Sequence, residues 1–344
     1  MKATGLLLLV VLPASCARSP ASSEPPTASN QRVALTDLGS GNYLGFTGGL
    51  YPGGSNTAPA AHVAEGVARA RRIKPLDGNG NPAASGKYVL LSIGMSNTTQ
   101  EFCSGNSNLP CDTWSFMGKA AADPAVNKTT LAIVNGAMGG QTAATWDAPA
   151  DANYDVVRTN KLEARGLSEK QVQIVWVKVA QASPRDSLPR ANSDAHQLVR
   201  EQGAILRALK LRYPNVQQVF MSSRIYGGYA TTQLNPEPYA YQGGFAVKWT
   251  IEAQITEMTS GAIDARAGTL NYAISAPWVA WGPYLWADGM QARADGLKWE
   301  LNDFVTSDRT HPSEQGRGKV ADLLLDFFKT SQFTRCWFRA GQTC

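Results

Sequence analysis

The chain has 344 residues, of which 43% are hydrophobic and 17% are charged, and its formal net charge is +5. This composition is typical of a globular protein and excludes a disordered or fibrous one. Because the positive charge is spread along the sequence without a dense block of lysine or arginine, nucleic acid is not an expected partner.

The N-terminus has the pattern of an export signal. Lys2 precedes an apolar run at residues 6–12, and small residues follow up to Ala17. The run is too short to span a bilayer as a helix of the mature protein. Two processing routes fit residues 1–17: cleavage before Cys16 with lipid attachment, which would hold the protein at a membrane, or cleavage after Ala17. Either route predicts an exported protein, whether periplasmic, an outer-membrane lipoprotein or secreted.

Two segments separate this signal from the main domain. Residues 18–33 are rich in serine, proline and alanine and have no apolar period, which predicts a flexible linker. Residues 34–86 begin with many glycines, which favour turns and short strands, and continue with a helical composition at 58–72. We interpret residues 34–86 as an N-terminal extension packed on a main domain that comprises residues 87–344.

The main domain alternates apolar runs with helix-like segments. Runs with the length of buried strands lie at 88–93, 131–134, 172–179 and 216–222. Helical patterns lie at 194–213, 247–259 and 318–329, and the first of these has Ser193 or Asp194 as its N-cap. Strands separated by helices predict an α/β fold with a parallel sheet that is covered on both faces.

Reactive groups in an open parallel sheet gather at the carboxyl ends of the strands. Ser96 follows the first run, and Gly94, two residues earlier, permits a tight turn that would present the hydroxyl at the sheet edge. The alternative is that Ser96 caps a helix. Gly139 and Gly140 follow the second run, where backbone N–H groups could approach a ligand as an oxyanion site requires, or where the glycines simply make a turn.

Asp308 and His311 stand just before the last helical segment. A serine hydroxyl is a poor nucleophile until a base takes its proton, and an imidazole with a pKa near its ordinary value of about 6.5 suits that task at neutral pH. Asp308 could fold back and fix the tautomer of the ring. The other histidines, His62 and His196, lie in helix-like stretches where packing or solvent exposure is the default, so His311 is the candidate base.

Four cysteines of the main domain form two close pairs, Cys103 with Cys111 and Cys336 with Cys344. In an exported protein this pattern favours two local disulfides, although four cysteines allow three connectivities. Zinc is the less favoured interpretation, because neither pair has C-x-x-C spacing and no histidine is near. We expect no metal and no organic cofactor.

Together these blocks resemble those of the GDSL-type, or SGNH, hydrolases over roughly residues 87–330. Residues 94–96 (Gly-Met-Ser) are similar to the Gly-Asp-Ser-like block of that family, with methionine in place of aspartate, and residues 140–142 (Gly-Gln-Thr) are similar to its second block. Asp308 and His311 match its final Asp-x-x-His in spacing and position. The resemblance implies a three-layer, flavodoxin-like α/β/α fold. It also implies a serine esterase that acts on acyl esters such as acetyl esters, often of carbohydrates, through Ser96, His311 and Asp308.

One block departs from the family pattern. Its third block, Gly-x-Asn-Asp, should follow the run at 172–179, but residues 180–183 read Ala-Gln-Ala-Ser. With the N–H groups of Ser96 and Gly140 as two oxyanion donors, Gln181 is the favoured third donor and Asn97 the next candidate. Lys178 is less favoured because its charge would be costly to bury unpaired.

Four residues are candidates for substrate binding: Arg224 and Tyr226, which follow the fourth run, and Trp281 and Trp286, in an aromatic loop. Aromatic rings stacked on sugar faces would suit a carbohydrate ester, and buried packing beneath a long loop is the alternative. Two functions stay open, an exported esterase and a catalytically silent, exported glycan-binding protein on the same fold. The serine, histidine and aspartate favour the enzyme, whereas the missing asparagine favours the binding protein.

Overall fold

The computed structural model describes residues 1–2, 30–104 and 109–344. The predicted signal at residues 1–17 lies almost wholly outside these residues, as do the predicted lipidation site Cys16 and most of the linker 18–33. Within the described residues, no helix combines the length and the apolar character that crossing a membrane requires.

A five-stranded, all-parallel sheet forms the centre of the molecule. A short antiparallel pair, β1 (Asn42–Tyr43) and β2 (Phe46–Thr47), precedes it in the chain. The strands of the central sheet are β3 (Tyr88–Gly94), β4 (Leu131–Asn135), β5 (Val172–Lys178), β6 (Gln218–Met221) and β7 (Trp278–Trp281). Their spatial order is β4-β3-β5-β6-β7. Counted within the sheet this order is 2-1-3-4-5, which is the flavodoxin-like order. The predicted fold class is confirmed.

The helices of the described residues are α1 (Leu35–Leu38), α2 (Ala60–Ala70), α3 (Ser96–Phe102), α4 (Phe116–Ala122), α5 (Ala152–Val157), α6 (Asp194–Arg212), α7 (Tyr239–Ser260), α8 (Glu314–Thr330) and α9 (Arg335–Phe338). Ser193 is the N-cap of α6, and its side chain accepts a hydrogen bond from the backbone of His196. Helix α7 begins eight residues before the predicted start at 247. Gly243 and Gly244 weaken the helical signal there, but a Cβ at Gly244 would lie only 3.1 Å from Leu35, so the glycine lets α1 pack closely.

Successive residues of β3 face opposite sides of the sheet, and both sides are buried. Val89, Leu91 and Ile93 join a hydrophobic cluster with residues of α6 and α7, such as Leu198 and Phe245. The other apolar side chains of β3 join a second cluster, formed with residues of α4 and α8. Burial on both faces explains why the strands are largely apolar, and it produces the three predicted layers.

Residues 33–50 contact distant parts of the chain. Tyr241 on α7 donates a hydrogen bond to the backbone carbonyl of Val33 at 2.6 Å. The indole N–H of Trp281 donates to the carbonyl of Leu50 at 2.7 Å. Leu35 is fully buried in the cluster that covers this face of the sheet. We name residues 33–50 the N-terminal strap, since they lie across α7 and the end of β7.

Strand β7 corrects the predicted aromatic loop. Its four residues pair in parallel with β6, from Gln218 opposite Trp278 to Met221 opposite Trp281. A run this short, between Pro277 and a glycine, gives too weak a pattern to be distinguished from a loop. Trp281 therefore belongs to the sheet.

Two disulfides are present, Cys103–Cys111 and Cys336–Cys344, with Cα–Cα distances of 4.6 Å and 4.9 Å. The first closes a loop at the C-terminal end of α3, and the second attaches the last residue of the chain to α9. Disulfides of this kind are typical of proteins outside the reducing cytosol.

Candidate active site

Ser96 is the first residue of α3, directly after the carboxyl end of β3. The turn between the two depends on Gly94, because a Cβ at that position would lie 2.1 Å from the carbonyl oxygen of Lys178. The N-cap of α3 is Met95, so the alternative role of Ser96 as a helix cap is wrong. The tight turn places the Ser96 side chain at the sheet edge, free for another contact.

Ser96, His311 and Asp308 form one chain of hydrogen bonds. The Nε2 atom of His311 lies 2.7 Å from Ser96 Oγ, and its Nδ1 atom lies 2.6 Å from Asp308 Oδ2. A neutral ring with its proton on Nδ1 donates to Asp308 and accepts the serine hydroxyl at Nε2. This is the orientation in which an imidazole can take the proton of a serine.

The turn at residues 308–311 fixes Asp308 from its backbone side. Asp308 Oδ1 accepts the N–H groups of Thr310 and His311 at 2.8 Å and 3.0 Å. Burial acts to raise the pKa of Asp308, but these two N–H groups and the imidazole outweigh it, and the pKa is lowered. Asp308 is therefore a carboxylate at neutral pH, and it holds the ring in place.

Asn97 connects this turn to the nucleophile helix. Its side chain is almost fully buried, and Nδ2 donates to the carbonyl of Thr310 at 3.1 Å. The amide that was a candidate oxyanion donor is thus used to fix the 308–311 turn beside Ser96. Such a bond helps to hold His311 beside Ser96, although the two are 215 residues apart in the chain.

Ser96 and His311 line a cavity of about 110 Å³, and Gly140 lies on its wall. A Cβ at the preceding residue, Gly139, would lie 3.9 Å from Ser96 Cβ, so this backbone runs beside the nucleophile. The N–H of Gly140 donates to none of the described residues. The N–H of Ser96, at the first position of a helix, has no carbonyl of an earlier turn to bind. These two N–H groups are the donors that a developing oxyanion at this position could use.

Gln181 lines the cavity, but its side chain is hydrogen-bonded to another residue. With its amide nitrogen placed toward acceptors, it donates to the backbone carbonyl and to Oδ1 of Asp194, each at 3.2 Å. Asp194 is the first residue of α6. The structure therefore gives Gln181 a contact at the start of α6 in place of the expected oxyanion contact.

Lys178 is fully buried but not unpaired. Its Nζ atom lies 2.5 Å from Oε1 of Glu101 and also contacts Oε2, and both side chains are wholly inaccessible to solvent. Burial raises the pKa of Glu101 and lowers that of Lys178 to about 8. Since Glu101 belongs to α3, the pair attaches the nucleophile helix to the end of β5. Sequence reasoning missed this partner, because nothing in the pattern links two residues that are 77 positions apart.

The four candidates for substrate binding divide into two groups. Arg224 lines the cavity, whereas the three aromatic residues do not. The indoles of Trp281 and Trp286 are buried and donate to Leu50 and Glu237, and Tyr226 packs against Trp286. The two tryptophans are packing residues, as the alternative interpretation had it. Because these rings do not line the cavity, the expected stacking on a sugar does not occur there.

Asn235 lines the cavity and was missed from the sequence. It adopts a left-handed conformation with φ of 59°, and its Nδ2 atom donates to the carbonyl of Gln181 at 3.3 Å. Asparagine is the residue that best tolerates this conformation after glycine, and Pro236 follows it. An Asn-Pro turn was the available signal.

The remaining histidines have packing roles. The His62 ring is stacked on Trp278, and its Nε2 atom lies 2.9 Å from the carbonyl of Val279. Burial lowers the pKa of His62 to about 4. His196 Nδ1 lies 3.0 Å from the carbonyl of Ala191. Among the described residues, no group of three or more histidine, cysteine, aspartate or glutamate side chains is arranged to hold a metal ion.

Neither a protein-family model nor a curated protein matches the chain significantly. Solved structures similar to it include GDSL/SGNH-type lipases and esterases. An extracellular lipase from Streptomyces rimosus is 14% identical, over 70% of this chain and 99% of that one, with a TM-score of 0.33. A carbohydrate esterase family 2 enzyme from Corynascus thermopiles is 13% identical, over 70% and 67%, with a TM-score of 0.34.

A third similar structure is the salicylyl-acyltransferase SsfX3 of a tetracycline biosynthetic pathway, which is 13% identical over 71% of this chain, with a TM-score of 0.37. The alignment covers 54% of that protein, so the chain spans about half of its length. At these sequence identities and TM-scores, structural similarity does not indicate the activity of this chain. The flavodoxin-like fold of this chain rests on the strand order and layers of its own structure.

Proposed function

We propose that the protein is a serine esterase, with Ser96 as nucleophile, His311 as base and Asp308 as the carboxylate that orients the base. The observation that carries this proposal is the pair of hydrogen bonds of 2.7 Å and 2.6 Å that joins the three side chains. The chain of bonds ends at a cavity, so a substrate carbonyl can reach the serine hydroxyl.

The reaction begins when His311 Nε2 takes the proton of Ser96 as Oγ attacks the ester carbonyl carbon. The carbonyl oxygen becomes an oxyanion, which the N–H groups of Ser96 and Gly140 stabilise. Asp308 stabilises the imidazolium, which then gives its proton to the leaving alcohol as the ester bond breaks. A water molecule repeats the sequence on the acyl-serine: it loses a proton to His311, releases the carboxylic acid and restores the Ser96 hydroxyl.

The size of the cavity favours a short acyl group. Its volume of about 110 Å³ is below that of an engineered cavity of roughly 150 Å³ that binds benzene. An acetyl group is the acyl group that best suits this volume. A carbohydrate as the alcohol part of the substrate stays a prediction of the family resemblance.

The proposed place of action is outside the cytosol. The export signal predicted at residues 1–17 and the two disulfides support this part of the proposal. Attachment to a membrane through a lipidated Cys16 depends on the first of the two processing routes, and mass analysis of the mature N-terminus would distinguish them.

The esterase proposal is tested with purified protein and para-nitrophenyl esters of increasing acyl length. We expect turnover of the acetate, a steep fall with longer chains, and a loss of at least about 1000-fold in kcat for S96A and for H311A. The double variant should be no slower than either single one, because the two residues act as a unit. S260A, at the exposed end of α7, is the control and should keep full activity. A folded wild-type protein without turnover, or an active S96A variant, would contradict the proposal.

A further inference from the structure

Arg224 is a buried cation that lies at the proposed active site. It follows β6 at the carboxyl edge of the sheet and lines the same cavity as Ser96 and His311. The residue is only 3% exposed. Its Nε and Nη2 atoms are buried, and among the described residues neither has a hydrogen-bond acceptor.

The carboxylates around Arg224 are bound to other groups. Glu101, Glu237 and Asp308 all contribute to its electrostatic surroundings, but within the described chain none of the three forms a salt bridge with it. Glu101 is paired with Lys178, and Asp308 with the imidazole of the hydrogen-bonded chain. Glu237 accepts two backbone N–H groups and an indole N–H. Arg224 therefore has these carboxylates nearby, but none of the three is directly paired with its guanidinium.

A buried guanidinium with unused N–H groups is unfavourable unless it gains an anionic partner. Guanidinium groups pair well with carboxylates, because their parallel N–H groups match the two oxygens in one plane. The position of Arg224 defines where such a group would lie. Gly140 follows β4 and Arg224 follows β6, on opposite sides of the strand that precedes Ser96. An anion at Arg224 is thus on the side of Ser96 away from Gly140.

We infer that Arg224 binds a carboxylate of the substrate, so that the natural substrates are esters with an acid group close to the scissile bond. This inference rests on the proposed esterase activity at the same site. The acid group belongs either to the acyl part or to the alcohol part of the ester, and the small cavity limits it to a few bonds from the carbonyl in both cases.

Two matched substrate pairs test the inference. The mono-para-nitrophenyl ester of succinic acid is compared with para-nitrophenyl butyrate for an acid on the acyl side. For an acid on the alcohol side, acetoxyacetate is compared with acetoxyacetamide. Each kcat/KM is divided by the rate constant of alkaline hydrolysis, which removes differences in intrinsic reactivity. We expect the acid to be preferred by about 10- to 100-fold in one pair, the effect of a hydrogen bond to a charged group, and that pair identifies the side.

Variants then assign the preference to Arg224. The ratio of acid to neutral substrate should fall to about one in R224M, and R200M, which removes an exposed arginine of α6, should keep the wild-type ratio. If R224M does not fold, R224Q, which keeps donors and loses the charge, decides by the same ratio. Equal rates within both pairs for the wild type, or an unchanged preference in a folded R224 variant, would overturn the inference.

Binding separates this inference from the esterase proposal. Propionate and propionamide are titrated calorimetrically into the wild type and into R224M. If no ester is turned over but propionate binds the wild type at least about 10-fold more tightly than propionamide does, and R224M loses this preference, the carboxylate site stands and the esterase proposal fails. If neutral esters are turned over and propionate binds the wild type no better than propionamide does, the carboxylate site fails and the esterase proposal stands.

Discussion

Removal of Glu101 should destabilise the fold more than most single substitutions, because it leaves the ammonium of Lys178 buried without its partner. Breaking a buried ion pair from one side costs about 3–5 kcal/mol. This loss of stability has an upper limit, because Lys178 can lose its proton in folded E101A and so avoid being a buried, unpaired charge. From an ordinary lysine pKa of about 10.4, this costs about 5 kcal/mol at pH 7. We therefore expect E101A to lose about 3–5 kcal/mol in the free energy of unfolding at pH 7.

Deprotonation of Lys178 in the folded state also makes the stability of E101A depend on pH. In folded E101A the lysine is neutral, whereas in the unfolded chain it stays protonated up to about pH 10.4, so the unfolded state binds more protons and stability rises with pH. At pH 9 the limit is only about 2 kcal/mol. The wild type also gains stability over this range, because the pKa of its Lys178 is lowered to about 8, but it gains less than E101A, so E101A should approach the wild type as the pH is raised from 7 to 9.

Urea unfolding at both pH values measures these quantities, with the double variant E101L/K178M as the third arm. The double variant should be more stable than E101A, since it buries no charge. D322A is the control, because it breaks an ion pair of similar length between Lys119 and an aspartate that is 67% exposed, and it should cost about 0.5 kcal/mol or less. A loss below about 1 kcal/mol in E101A, or a double variant less stable than E101A, would refute the reasoning.

Three further expectations concern single features. The lowered pKa of His62 means that the unfolded state takes up its proton first on acidification, so between pH 7 and pH 4.5 the wild type should lose about 2 kcal/mol more stability than H62Q in urea unfolding. N97A should lower kcat at least about 10-fold, because the 308–311 turn loses its hydrogen bond to α3. Q181A should change kcat less than about threefold, since its side chain is bonded to Asp194. A larger effect of Q181A than of N97A would show that Gln181 moves to the oxyanion. Replacement of Cys336 and Cys344 by serine should cost about 2–3 kcal/mol, and an unchanged thermal midpoint would contradict a constraint on the unfolded chain.

The parts of the fold that the sequence predicted are those with local signals. The runs at 88–93 and 172–179 were recognisable because both faces of the sheet are buried, which makes most residues of each strand apolar. Ser96 and His311 were recognisable because short motifs place them at a strand end and before a helix. Strand β7 was not, since four residues leave no period to detect.

The parts that the sequence did not predict depend on tertiary contacts. Lys178 was judged from its strand alone, and its partner comes from a helix that the fold brings to it. Trp286 resembles an exposed aromatic residue of a loop until the fold buries it against Glu237. Gln181 has hydrogen-bond partners, whereas two nitrogens of Arg224 have none among the described residues. Such a difference depends on the neighbours of each side chain in space, and the spacing of residues along the sequence does not reveal it.

The N-terminal strap has a consequence for the order in which the chain can fold. Its residues are the first of the domain to be synthesised, yet Val33 binds Tyr241 and Leu50 binds Trp281, which are 208 and 231 positions later. Contacts of such long range form late, because the intervening chain must first be ordered. Until the last third of the protein has been synthesised, α7 and β7, against which the strap packs, do not exist. If the predicted export signal directs the chain through a translocation pore while it is unfolded, this connectivity would postpone completion of the fold to the far side of the membrane.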